Sequence, residues 1–284
     1  MTRQIGVAHL TLLPLTPPEM VTVAAAVGLD FVGIRVRAVS AEESLPAMHP
    51  GSPVLLETIA RLRDTGVVVR DVEFLPITAE TGPDDWNPAL ETGALLGAGV
   101  LTVAGADADR SRLVDTLARL TVDAAQFGIR PALEAISYQV VSRVDDAAAI
   151  ARATGAALML DPLHIQRGGS SIDDVAALDP DLIPVLQLCD APLRLADDGP
   201  GSADARQYEA RKNRLLIGDG ALPLAALLAA APAGTPVSLE IPNERLQAEL
   251  SPTEFLARNA HAARELIAHV DGGQAADPGG TTDV

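Results

Sequence analysis

The sequence predicts a single closed (β/α)8 barrel, an α/β fold, on three observations. Eight short apolar segments recur along the 284 residues, and each is followed by a connection long enough to return on the outside of a parallel sheet. Hydrophobic residues make up 48% of the chain, enough at this length for one large core. The competing open, doubly wound sheet predicts a glycine-rich turn after an early strand, and Gly6, Gly28 and Gly33 do not form one.

The elements follow in order. Residues 5–10 read as the first strand; Thr16, Pro17 and Glu19 start the helix after it, and Gly28 stops it. Residues 31–36 form the second strand, and the next helix runs from Ser52 and Pro53 to its terminator Gly66. Residues 67–74 precede a helix over about 87–96, and residues 99–105 precede one whose Leu113, Leu117 and Leu120 share a face. The second half repeats the alternation, with strands at 129–135, 156–162, 182–190 and 237–242. Helices are predicted around 144–153, around 171–178, and from the Ser251, Pro252, Glu254 capping box onward. The barrel is assigned to residues 1–270, and the aperiodic residues 271–284 are expected to be a disordered tail.

Composition excludes several classes of function. There are 38 acidic against 21 basic residues, a net charge of −17, which repels phosphate backbones and anionic membranes. With one Trp, two Tyr and four Phe the chain has few platforms for stacking bases. The lone Cys189 excludes an internal disulfide and a Cys-rich zinc site. No apolar run reaches the length of a membrane span and no leader pattern opens the chain, so a cytoplasmic protein without nucleic-acid or membrane partners is expected. Homo-oligomerisation is left open.

In such a barrel the C-terminal strand ends face the pocket. Those positions hold His9, Arg35, Arg37, Glu73, Glu134, Asp161 with His164, Gln187 with Asp190, and Glu240. Glu134, Asp161, Gln187 and Glu240 close four successive strands, each at the end of a stretch without other charges. Three carboxylates drawn together there repel unless a cation sits between them, and a divalent metal is the simplest solution. Cys189, two positions after Gln187, is expected beside the pocket without ligating.

These residues carry a resemblance. The chain resembles the xylose isomerase-like TIM barrel superfamily, in the branch of sugar phosphate isomerases and epimerases that also holds inosose dehydratases and endonuclease IV. The resemblance rests on Glu134, on Asp161 followed three residues later by His164, on the segment around Gln187 and Asp190, on Glu240, and on Glu73. It implies that Glu134, Asp161, Gln187 and Glu240 bind the metal, with Gln187 where many relatives have His. That oxygen-rich shell favours Mg²⁺ or Mn²⁺ over Zn²⁺. It implies Glu134 and Glu240 as proton-transfer groups, with His164 holding a substrate oxygen and His9 or Glu73 the far end.

Residues 194–220 resemble a loop that covers the pocket, and one of Arg194, Arg206, Arg211 and Arg214 is expected to reach the substrate, with Arg194 assigned to that contact. The implied activity is isomerisation or epimerisation of a small polyhydroxylated carbonyl substrate through an enediolate. A dehydratase of the inosose or 3-dehydroshikimate type, and a non-catalytic binding subunit, are the alternatives. Endonuclease IV activity is set aside, because the chain has five His and a strongly negative charge.

Overall fold

A computed structural model describes residues 3–39, 43, 45, 48–196 and 202–275. Eight parallel strands close on themselves in sequence order. They are β1 (Ile5–Val7), β2 (Phe31–Arg35), β3 (Val68–Ile77), β4 (Val100–Gly105), β5 (Arg130–Glu134), β6 (Ala157–Leu160), β7 (Val185–Leu188) and β8 (Val237–Leu239). The predicted (β/α)8 barrel is the observed fold. β8 pairs with both β7 and β1, setting Gln187 beside Ser238 and closing the cylinder.

The helices of the outer layer start where the sequence carries caps. α1 (Pro17–Val27) opens with Thr16 N–H on Glu19 Oε2 at 2.8 Å, and α2 (Pro53–Thr65) follows the Ser52 cap. α3 (Pro83–Leu96) begins before the predicted 87–96, because Asp85 accepts the Gly82 N–H at 2.9 Å and fixes an earlier first turn. α4 (Arg110–Ala125) buries Leu113, Leu117 and Leu120 as their spacing requires, and α5 (Val144–Thr154) follows β5. α6 (Pro162–Gly168) and α7 (Ile172–Ala176) lie between β6 and β7.

After β7 come α8 (Ala203–Lys212) and α9 (Leu224–Ala230), and after β8 come α10 (Glu244–Glu249) and α11 (Pro252–Ala275). α8 stands inside the segment expected to be a loop. Residues 271–275, expected in the tail, continue α11 instead, and Arg3 Nε meets Asp271 Oδ1 at 3.2 Å. The rest of the expected tail, 276–284, lies outside the described residues. Among the described residues no helix is long and apolar enough to cross a membrane.

Strand alternation sorts the barrel interior into layers. Phe31, Val100, Ala132, Ala157, Met159 and Val185 form a separate apolar cluster inside the barrel, all but Met159 from the N-terminal part of their strands. Two residues further along the same faces come Gly33, Thr102, Glu134, Asp161 and Gln187, all but the glycine polar. The remaining apolar side chains pack the strands' outer faces against the helices. The apolar plug therefore supports a polar layer at the C-terminal mouth.

Candidate functional site

The polar layer is fixed by secondary structure. Glu134 is the last residue of β5, Asp161 and Glu240 directly follow β6 and β8, and Gln187 lies within β7. Asp161 also caps α6: its Oδ1 accepts the Leu163 N–H at 2.7 Å and the His164 N–H at 3.3 Å, behind Pro162 at the first helical position. That geometry explains the spacing of the two residues, since a side chain three positions past the cap turns back over it. Glu134, Asp161 and His164 each present a ligand atom within 4.8 Å of the others, and all three are buried.

His164, expected to touch substrate rather than metal, thus stands within the candidate ligand set. The Ser137 N–H faces His164 Nδ1 at 3.5 Å and the Ser137 Oγ lies 3.1 Å away, so Nδ1 accepts and Nε2–H points to Glu134 Oε1 at 3.8 Å. Burial pushes the imidazole down to about 4, keeping it neutral. Gln187 Oε1 is buried and has no hydrogen-bond partner.

Arg214 is the unexpected member. It is 1% exposed, and its guanidinium pairs with Asp161 through Nη1 and with Glu240 Oε2 through Nη2 at 2.9 Å. Its Nε donates to Ala210 O at 2.8 Å, and its main chain is held by Pro242 O and by Asn243 Nδ2. Cys189 Sγ lies 3.3 Å from Arg214 Nη1, and burial raises the thiol well above its usual range.

Charge decides whether a metal fits. The carboxylates of Glu134, Asp161 and Glu240 against the one Arg214 guanidinium leave a net −2 beside a neutral His164. The imbalance shows in the acids. Burial and the neighbouring Glu240 and Asp161 push Glu134 well above the carboxylate range, and Glu240 rises to about 8, with burial outweighing Arg214. Burial also works against Asp161, but Arg214 and His164 hold it below the usual value. A divalent cation supplies the missing charge, and the unpartnered Gln187 oxygen supplies a further donor. The residues present fit such an ion.

A second acidic pair lies behind the first. Asp71 and Glu73 alternate along β3, both inward, and a Cβ at Gly33 would stand 2.5 Å from Glu73 Oε1 and 2.8 Å from both Asp71 oxygens. Only glycine leaves that space open. Both carboxyls rise to about 7: burial comes first for each, then the charge of Glu240 for Asp71 and of Asp71 for Glu73. Glu73 Oε1 accepts the His9 N–H at 3.1 Å.

A pocket opens over this layer at the barrel mouth. Glu73, Glu134, His164, Gln187 and Glu240 line it together, joined by Arg35, Thr102, Tyr138, Arg211 and Arg214. Two expected substrate contacts lie elsewhere. His9 Nδ1 accepts the Arg35 N–H at 2.9 Å and Nε2 faces Leu15 O at 3.1 Å, so the ring ties β1 to β2 and does not line the pocket. Arg194 is exposed; Arg211 and Arg214 of the same segment line the pocket in its place. Asp190 accepts the N–H groups of Ala191, Gly218, Gly220 and Leu222 and shapes that turn, where a Cβ on Gly220 would strike its Oδ1 at 2.2 Å.

The xylose isomerase-like TIM barrel family matches residues 21–270, and the chain belongs to it. No curated protein sequence matches the chain. Among solved structures it is similar to the IolI protein with a bound zinc atom, at TM-score 0.75 and 17% identity over 94% of this chain and 99% of that one. It is similar to a xylose isomerase-like TIM barrel/4-hydroxyphenylpyruvate dioxygenase fusion protein at TM-score 0.78 and 20% identity, covering 100% of this chain but only 46% of that longer one. L-Ribulose 3-epimerase matches at TM-score 0.71 and 15% identity over 99% and 100% of the two chains. At these identities the likenesses show the fold.

Proposed function

We propose that the protein is a divalent-metal-dependent isomerase or epimerase of a small polyhydroxy carbonyl compound. The carrying observation is the buried group of Glu134, Asp161 and His164, with ligand atoms mutually within 4.8 Å at the barrel mouth. Glu134, Asp161, Gln187 and Glu240 are the proposed ligands, with His164 beside them facing the substrate, and these oxygen donors favour Mg²⁺ or Mn²⁺. The L-ribulose 3-epimerase likeness supports the reaction class.

When bound, the ion would polarise the substrate carbonyl and make the neighbouring C–H acidic. Glu134 and Glu240 approach the pocket from β5 and β8, and proton removal at one carbon with return from the other side follows from that placement. Neutral His164 offers Nε2–H to a substrate oxygen, and the half-buried Tyr138, whose phenol is pushed up to about 12 by burial, closes the wall as a neutral group. Arg214 holds the carboxylates of Asp161 and Glu240 in place.

The test measures bound metal together with solvent-deuterium incorporation into ketoses such as L-ribulose by NMR. Glu134→Gln and Glu240→Gln should each keep metal and lose about 10²-fold or more in turnover. One of them should still exchange the substrate proton. Full turnover in both variants, or protein that binds no divalent ion, overturns the reading, and a conjugated carbonyl product reassigns the site to water elimination.

A further inference from the structure

At the pocket two arginines from different elements converge on a carboxylate that the chain itself supplies. Arg35 ends β2 and is 6% exposed, and Arg211 lies in the last turn of α8. Both line the pocket that holds Glu134 and His164. Between them sits Glu43 from the connection after β2: its Oε1 receives Arg35 Nη1 and, at 2.9 Å, Arg211 Nη2, while its Oε2 accepts the Val39 N–H at 3.0 Å. The Glu43 side chain is 2% exposed.

Two further observations show that this arrangement is suited to a ligand. Arg35 Nε is buried with no hydrogen-bond partner, its nearest acid being Glu73 Oε2 at 3.6 Å. Arg211 is held on a helix that is itself anchored, since Arg167 and Glu209 of α6 and α8 form a buried two-pronged pair at 2.8 Å. Guanidinium groups fixed in this way present paired donors matched to a carboxylate. Glu43 arrives from a connection, whereas its partners sit on a strand end and a helix.

We infer that Arg35 and Arg211 form a carboxylate subsite, and that Glu43 occupies the position taken by the carboxylate of a polyhydroxy acid substrate. This rests on the proposed function and deepens it: the substrate carries an acid group remote from the carbons that face Glu134 and Glu240. A carboxylate is favoured over a phosphate because one monoanion already fills the position, and Glu73 and the chain's net charge of −17 oppose a dianion.

The test uses thermal unfolding of the protein as purified, at constant ionic strength. In Glu43→Ala, acetate should raise the melting temperature saturably, with a midpoint about tenfold below that for wild type or for inorganic phosphate. Glu43→Ser, which also empties the position, serves if the alanine variant does not fold. Adding Arg211→Gln should abolish the acetate effect. An acetate effect no greater than that of chloride, or one exceeded by phosphate, overturns the subsite. With Mn²⁺ present, calorimetry on Glu43→Ala, or on Glu43→Ser in its place, should show gluconate binding about tenfold tighter than glucitol. Equal binding, or none, overturns the substrate class. A protein that passes the acetate test but holds no metal refutes the proposed reaction alone, and one that holds metal but ignores acetate refutes the subsite alone.

Discussion

Arg214 Nη2 stands 2.9 Å from Glu240 Oε2, and the same guanidinium reaches Asp161 across the barrel mouth. A fixed organic cation thus carries part of the charge that balances the strand-end acids. The remainder, two negative charges, calls for the divalent ion.

Removing Arg214 should expose that division. In Arg214→Gln the two acids lose their buried partner, a change that costs roughly 3–5 kcal/mol. Chemical denaturation in chelator should show the loss, and saturating Mn²⁺ should return more stability to the variant than to wild type. Undiminished stability in chelator would contradict the role given to the guanidinium.

Gln187 should set metal preference. Its unpartnered buried oxygen is the donor that an apolar residue removes, so Gln187→Leu should weaken Mn²⁺ binding by on the order of tenfold. Gln187→His replaces that oxygen by nitrogen and should move competition toward Zn²⁺. Competitive metal titration reads both, and an unchanged Mn²⁺ affinity in the leucine variant would remove Gln187 from the ligand set.

Gly33 is required by the acids beside it. A Cβ there would fall 2.5 Å from Glu73 Oε1, so Gly33→Ala should displace that carboxylate and cost about 1–3 kcal/mol. Denaturant midpoints measure the cost. Stability equal to wild type would mean that Glu73 swings away without penalty.

His9 gives a pH dependence of known sign. Burial lowers its pKa from 6.5 to about 4, so in that window the unfolded chain binds the extra proton. Stability contributed by the neutral ring is complete above 6.5 and is lost as the pH falls toward 4. The raised carboxyls of Asp71 and Glu73 act in the opposite direction, which makes the comparison with His9→Asn the useful one. Between pH 7 and 4 the wild type should lose about 3 kcal/mol more than the variant, read from denaturation curves. Parallel losses would show that His9 titrates normally.

The barrel was legible because strand and helix signals alternate, and Glu134 and Asp161 because each closes an apolar run. Asp71 gives no such signal, because Arg70 precedes it and it lies inside a strand rather than at its end. α8 was hidden for a different reason. It buries only Glu209 and Ala210, so no apolar stripe marks it, and its position depends on the ion pair with Arg167. Without that helix nothing local distinguishes the exposed Arg194 from Arg211 or Arg214. The pairing of Arg35 with Glu43 is likewise set by how a connection folds back, which spacing does not encode.

The Arg167–Glu209 pair divides the segment after β7 into two parts with different evolutionary freedom. The arginines of the pocket are located by this pair on one side and by the bridge between Asp190 and Leu215 on the other. Arg167 also donates to the carbonyls of Pro192 and Leu193, so the start of the segment is tied to the same arginine. The exposed Arg194 belongs to neither anchor, so its side chain can be exchanged while Arg211 and Arg214 keep their places. Related barrels could in this way acquire new covers over an unchanged floor, and selectivity for the outer end of a substrate could be altered without rebuilding the chemistry beneath.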